Sequence, residues 1–164
     1  MGLSLKKEEM VQFLESAKSQ DERFKHMLWG TVIAKLPSIQ NRSAASQVML
    51  FFSHVPGVAG TPDNAFCYIG ITEKSLYVIA LDTYDTSKII GTFILPFVEI
   101  TSLAVWKAMF GASHTVEIEC GEHGHISLTV KNTSIGTDIK DQKERVEAFL
   151  AEIGALKTSI SVTD

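Results

Sequence analysis

The chain is short of the residues that would commit it early to one chemistry. It has two cysteines, four prolines and two tryptophans in 164 residues. Cys67 and Cys120 are far apart, without metal-type spacing, and each stands in an apolar strand-like segment where a free thiol behaves as a small hydrophobe. Free thiols in a reducing, cytoplasmic setting are the expectation. Neither sign of charge is in large excess: 15 basic against 19 acidic residues leave a net charge of −4. That balance lacks the basic footprint of a nucleic-acid binder, and it offers no broad basic face to anionic lipid, although a local basic cluster is compatible with it. Phosphate-loop and dinucleotide glycine patterns are missing, as is the Gly-x-Ser-x-Gly elbow of a serine hydrolase. The N-terminal residues show no apolar core of a signal peptide, and Lys6 stands where a myristoylation signal needs Ser or Thr. Neither a leader nor an acyl anchor is expected. The longest apolar run, Ile89 to Trp106, is broken by Gly91, Pro96 and Glu99, so it reads as two buried strands and not as a membrane span.

What is present is ordinary for one globular domain. Hydrophobic residues make up 45% and charged residues 21%, and a chain of this length buries roughly 70% of its unfolded surface. Lys6 to Ser19 reads as a helix, with Leu5, Met10, Phe13, Leu14 and Ala17 at near-helical spacing and Ser4 as its cap. His26 to Leu36 is apolar on both faces, β-branched in its second half, and stopped by Pro37. A strand is expected there, with a short helix as competitor. Ser43 to His54 holds good helix formers and predicts a short helix started by Asn41 or Ser43. Pro56 to Asn64 is a loop.

Six further strands follow: Ala65–Thr72, Ser75–Leu81, Lys88–Leu95, Ile100–Ala108, His114–Cys120 and His125–Lys131. The last two alternate apolar and polar residues strictly, as a hairpin with one wet face does. A closing helix is marked at both ends, by Asp138 as cap and by Gly154 as a left-handed stop. Its apolar stripe is Ile139, Val146, Phe149, Leu150 and Ile153.

Two stretches carry a resemblance. Phe66-Cys-Tyr-Ile-Gly-Ile-Thr-Glu-Lys-Ser-Leu-Tyr-Val-Ile-Ala80 is similar to a hairpin built around a "Leu-Thr-x-Lys-x-Leu" turn. Phe93-Ile-Leu-Pro-Phe-Val-Glu-Ile-Thr-Ser-Leu103 is similar to an "Ile-Pro-x-x-x-Ile-x-x-Val" step between sheets. Together, over residues 26–153, they resemble the bacterial pleckstrin-homology-like (PH-like) domains. The resemblance implies an α+β, mainly β fold: a PH-like split barrel of two orthogonal antiparallel sheets, about seven strands, capped by a C-terminal helix. Residues 1–24 would be an N-terminal helical extension and 25–156 the domain, with a helical insertion at about 41–55. Residues 157–164 would be a flexible tail. It further implies a non-catalytic module for protein–protein or lipid interaction, with homo-oligomers among its forms. A helix-plugged β-cup carrying a small apolar ligand is the alternative.

Few side chains point to chemistry. Lipid head-group binding in such a barrel would draw on Lys35, Arg42 and Lys88 at one end, joined by His123 and His125; three cations suffice for one phosphate. Asp82, Asp85 and Glu122 stand nearby and the basic residue of the second strand is missing, so solvated loop charge is the competing reading. His114, His123 and His125 lack the further ligands of a tetrahedral metal site, and no metal or cofactor is expected. Glu117 and Glu119 belong to the wet face of a strand, and no enzyme is expected. Trp29, Trp106, Phe93 and Phe97 are expected in the core. Met109 and Phe110 fall in a turn and mark a contact surface. The PH-like resemblance further implies that a peptide can lie between the fifth strand and the final helix, extending the sheet edge.

Overall fold

The computed structural model describes residues 5–35, 49–52, 65–82, 84–121, 124–134 and 136–162. Among these residues helix α1 (Lys7–Ala17) precedes eight strands: β1 (His26–Lys35), β2 (Met49–Phe52), β3 (Ala65–Ile71), β4 (Ser75–Leu81), β5 (Ile89–Pro96), β6 (Ser102–Ala108), β7 (Ser113–Glu119) and β8 (His125–Lys131). Helix α2 (Gln142–Val162) closes the chain. All strands pair antiparallel in one sheet of order β2-β5-β4-β3-β1-β8-β7-β6. The six strands read from residue 65 onward are found within two residues of their expected bounds, and His26–Lys35 is a strand. The two expected sheets are hydrogen-bonded into one through β1. Its first seven residues pair with β3 and its last five with β8, sharing Thr31 and Val32.

Two residues make this sharing feasible. At Gly30 an added Cβ would lie 2.6 Å from the Thr129 carbonyl oxygen, so only glycine lets β8 close onto β1 there. One pair further on, continuation of the β1–β8 register would place Trp29 opposite Lys131, but the strands separate and the Gln142 side chain fills the gap. Its Nε2 donates to the carbonyls of Trp29 (2.8 Å) and Lys131 (3.2 Å), and its Oε1 accepts from the Trp29 N–H at 3.4 Å. Gln142 is wholly buried and opens α2, so one amide closes the split and fixes where the helix begins.

The sheet is covered on both faces, unevenly. Val146, Phe149 and Ile153 of α2 pack with Leu28, Val32, Ile69, Val78, Phe93 and Leu128 on the inner face. On the outer face α1 lays Met10 and Leu14 over Trp29, Tyr68, Tyr77 and Ile79. Strand β4 lies between the two layers and is buried at every residue, whereas β8 alternates because its outer face is wet. That contrast explains the unbroken run Ser-Leu-Tyr-Val-Ile-Ala-Leu81 beside the strict alternation of Ile126-Ser-Leu-Thr-Val130.

The N-terminal segment is tied in by polar groups. The Lys7 N–H donates to Asp138 Oδ1 at 2.6 Å, and Leu5 exchanges backbone bonds with Gly136 and Asp138. Asp138 was expected to cap the closing helix; it instead serves the start of α1. The proposed cap Ser4 lies outside the described residues. Beyond α1, the buried Glu22 carboxylate accepts from the hydroxyls of Thr72 (2.5 Å) and Tyr77 (2.9 Å). Thr72 Oγ1 also accepts from the N–H groups of Lys74 and Ser75, so the Thr72-Glu-Lys turn is shaped by its threonine.

Three expectations need correction. Met49–Phe52 is not helical: it pairs with Gly91–Ile94 as β2. Helix propensity yields there to the free edge of β5, and the rest of the insertion lies outside the described residues. Gly154 does not stop α2, which runs on to Val162 because Leu156 and Ile160 continue the stripe of Phe149 and Ile153 onto the core. The expected tail is therefore helical as far as 162. Ile139 precedes the helix and packs into the outer layer beside Leu5.

Gln142→Leu should destabilise the protein by about 2–4 kcal/mol, because it strands the buried N–H and C=O of Trp29; urea unfolding measures it. Gly154→Ala should do the opposite. Gly154 sits mid-helix with nothing within 4 Å of an added Cβ, so a gain of about 0.5–1 kcal/mol is expected in the same assay.

Candidate functional site

Strand β6 ends the sheet. Its inner edge pairs with β7 over all seven residues, Ser102 opposite Glu119 to Ala108 opposite Ser113. Among the described residues no strand covers its other edge, and α2 flanks it. Alternate N–H and C=O groups along such an edge point outward, available to another chain.

The turn that leaves β6 is unusual. Met109 and Phe110 have φ of 52° and 57°, and Gly111 follows at 90°. Left-handed backbone suits glycine, and a bulky residue held there costs about 1–3 kcal/mol. The turn is held by the Ala112 N–H on the Met109 carbonyl (3.1 Å), and from beneath by Asn132. The Asn132 backbone N–H donates to the Ala112 carbonyl (2.9 Å) and its Nδ2 to the Gly111 carbonyl (3.2 Å). Met109 is 68% exposed and Phe110 is fully exposed.

Trp106, expected in the core, is 55% exposed. It pairs with Thr115, whose side chain meets Thr129 on the wet face, so the indole points outward beside the turn. Val105 reaches solvent at the edge too. Trp106 and Val105 thus stand exposed beside Met109 and Phe110, the residues expected to form a contact surface. The signal that could have found them was position: they fall in the strand with no partner beyond it. Trp29, Phe93 and Phe97 are in or against the core as expected.

The basic residues are brought together only in part. Lys35 ends β1 opposite His125, and Lys88 precedes β5, at the same end of the sheet but three strands away. Lys88 is exposed, in a loop where Asp82 accepts from the Tyr84 and Asp85 N–H groups and Asp85 from Ser87. Those Ser87 bonds, with Lys88 adding a smaller attraction, hold the Asp85 carboxyl below its usual range. Arg42 and His123 lie outside the described residues.

The polar cluster on the wet face is not arranged as a nucleophilic triad. On the wet face Glu117 receives both His125 Nε2 (2.6 Å) and the Ser127 hydroxyl. A nucleophile needs the imidazole between hydroxyl and carboxylate; here the carboxylate stands in the middle. His114 and His125 occupy opposite faces of the sheet, and among the described residues no group of three His, Cys, Asp or Glu could hold a metal. A groove of about 580 Å³ is lined by Asp21, Glu22, Lys74, Pro96, Phe97 and Val98. Its Lys74–Asp21 pair (3.1 Å) raises the lysine and lowers the aspartate, and its Glu22 is committed to Thr72 and Tyr77.

No family model matches the chain, and no curated protein does. Among solved structures it is similar to the hSac2 domain from human phosphoinositide phosphatase Sac2, at 13% identity and a TM-score of 0.48, over 93% of this chain and 83% of that one. That likeness decides neither fold nor function. No described helix is long and apolar enough to cross a membrane.

Both cysteines are buried and free. Burial pushes the Cys120 thiol up to about 12 and Cys67 also upward, from an ordinary value of 9.0. Above pH 9 an unfolded chain therefore loses protons that the folded chain keeps. Stability should fall as pH rises from 9, by up to about 1.4 kcal/mol per unit for each thiol. Urea midpoints at pH 8 and pH 10 check this, and a chromogenic disulfide should label neither thiol before unfolding.

Proposed function

We propose that this chain is a non-catalytic interaction module of PH-like type, and that the β6 edge with Trp106, Met109 and Phe110 is its protein-binding surface. The observation that carries the reading is the coincidence of an uncovered edge with a left-handed turn that holds two large apolar side chains in water. An uncovered edge recognises extended backbone by adding a strand, and neighbouring apolar side chains supply selectivity. The strand order supports the PH-like assignment: leaving β2 aside, two meanders, β1-β3-β4-β5 and β6-β7-β8, meet where β1 pairs with β8, with a C-terminal helix against the inner face.

Two competing readings have less support. A ligand cup would need its interior free, but Phe93, Leu128, Val130 and Phe149 are wholly buried against one another there. A head-group site at Lys35, Arg42 and Lys88 would have to work beside Asp82 and Asp85.

The test is selection of a displayed library of extended peptides on the protein. Enriched peptides should bind Trp106→Ala or Phe110→Ala at least 10-fold more weakly than the unsubstituted chain. Peptides that bind both variants unchanged would overturn the reading. So would flotation with anionic vesicles that survives Trp106→Ala but disappears when Lys35, Arg42 and Lys88 are reversed in charge.

A further inference from the structure

The β6 strand is self-complementary, and from this we infer that the partner it takes is a second copy of this chain. The inference rests on the interaction surface proposed above and names its occupant. Two copies of β6 pair antiparallel about a two-fold axis through Val105, so that two sheets continue as one.

Centring on Val105, the midpoint of Ser102–Ala108, uses all seven residues of both strands. Ser102 then faces the partner's Ala108, Leu103 faces the partner's Lys107, and Ala104 faces the partner's Trp106. Each large indole meets a methyl group, twice by symmetry, which is the size alternation that fills a cross-strand row. Lysine meets leucine, so no like charges are opposed. A shift of one residue would set inner-facing against outer-facing positions and is incompatible with the two-fold axis.

Beyond the strand the same register carries Met109 and Phe110 past the partner's Ser102, toward its short turn at Phe97–Glu99. Val98 stands there 84% exposed. An exposed phenyl ring and an exposed valine are thus brought to the same place at both ends of the interface. With Val98, Val105, Trp106, Met109, Phe110 and the edge backbone covered, each copy buries an area on the order of the ~800 Å² a side found in standard interfaces. Because each copy uses the same edge, the assembly closes at two.

Light scattering across a wide concentration range is the first measurement, with a doubled mass that grows no further as the expected result. Trp106→Glu and Phe110→Ser, both at exposed positions, should each raise the dimer dissociation constant about 30-fold or more, with unchanged circular dichroism showing that the fold is kept. Val105→Cys supplies the geometry. The native thiols are buried, so mild oxidation should link two copies through residue 105, while Ile33→Cys, exposed on the outer face of β1, should give no such link. A monomeric mass at every concentration, growth beyond two copies, or a dimer indifferent to Trp106→Glu would each overturn the inference. A monomer that still selects peptides through Trp106 would sink the second-copy inference alone. Peptide selection blind to that surface, in a chain that is also monomeric, would remove the interaction reading with it.

Discussion

The fold depends on a place where a β-ladder stops and a side-chain amide takes over. β1 serves two neighbours, and where it leaves β8 its backbone at Trp29 would be buried without partners. Gln142 meets both strands at once. Removing a partner from a buried backbone group costs more than the bond itself contributes, because no water replaces it. The amide therefore fixes three things together: how far β1 and β8 pair, where α2 begins, and which way α2 leaves to cover the inner core.

From that junction the two layers follow. The inner layer is closed by α2, and the outer layer is closed by α1 only over the β1-β3-β4 half. Over the other half, β8 and β7 keep a polar outer face, and among the described residues β6 ends the sheet as an open strand with Trp106 on that face. Stability and the proposed interaction surface are divided between the two halves of one sheet: the doubly covered half supplies stability, and the singly covered half ends in the accessible edge.

Much of this was legible from the chain. Period-two alternation places β7 and β8, because a strand with one wet face writes its period directly into the sequence, and apolar runs bounded by turn residues place β3 to β6. The unlegible parts depended on distant partners. Met49–Phe52 carries helix-compatible residues and becomes a strand only because β5 has an edge to offer. Gly154 is a helix stop by composition, overridden because Leu156 and Ile160 reach the core within the next two turns. Asp138 caps a helix more than a hundred residues earlier in the chain, which no local pattern encodes. The exposure of Phe110 and Met109 was legible because they stand in a turn. Trp106 was not, because an aromatic residue in a strand looks the same whether or not a neighbour covers it.

The turn after β6 also says something about how the chain divides its stability. Folding alone would favour glycine at 109 and 110, where the backbone is left-handed. The chain instead carries two of its larger apolar residues there and leaves them in water, which lowers both its stability and its solubility. A glycine pair would give a firmer and more soluble domain with the same sheet and the same helices. The present residues give the domain a fixed hydrophobic projection whose shape is set before anything binds, so a partner meets it without the entropy cost of ordering a flexible loop.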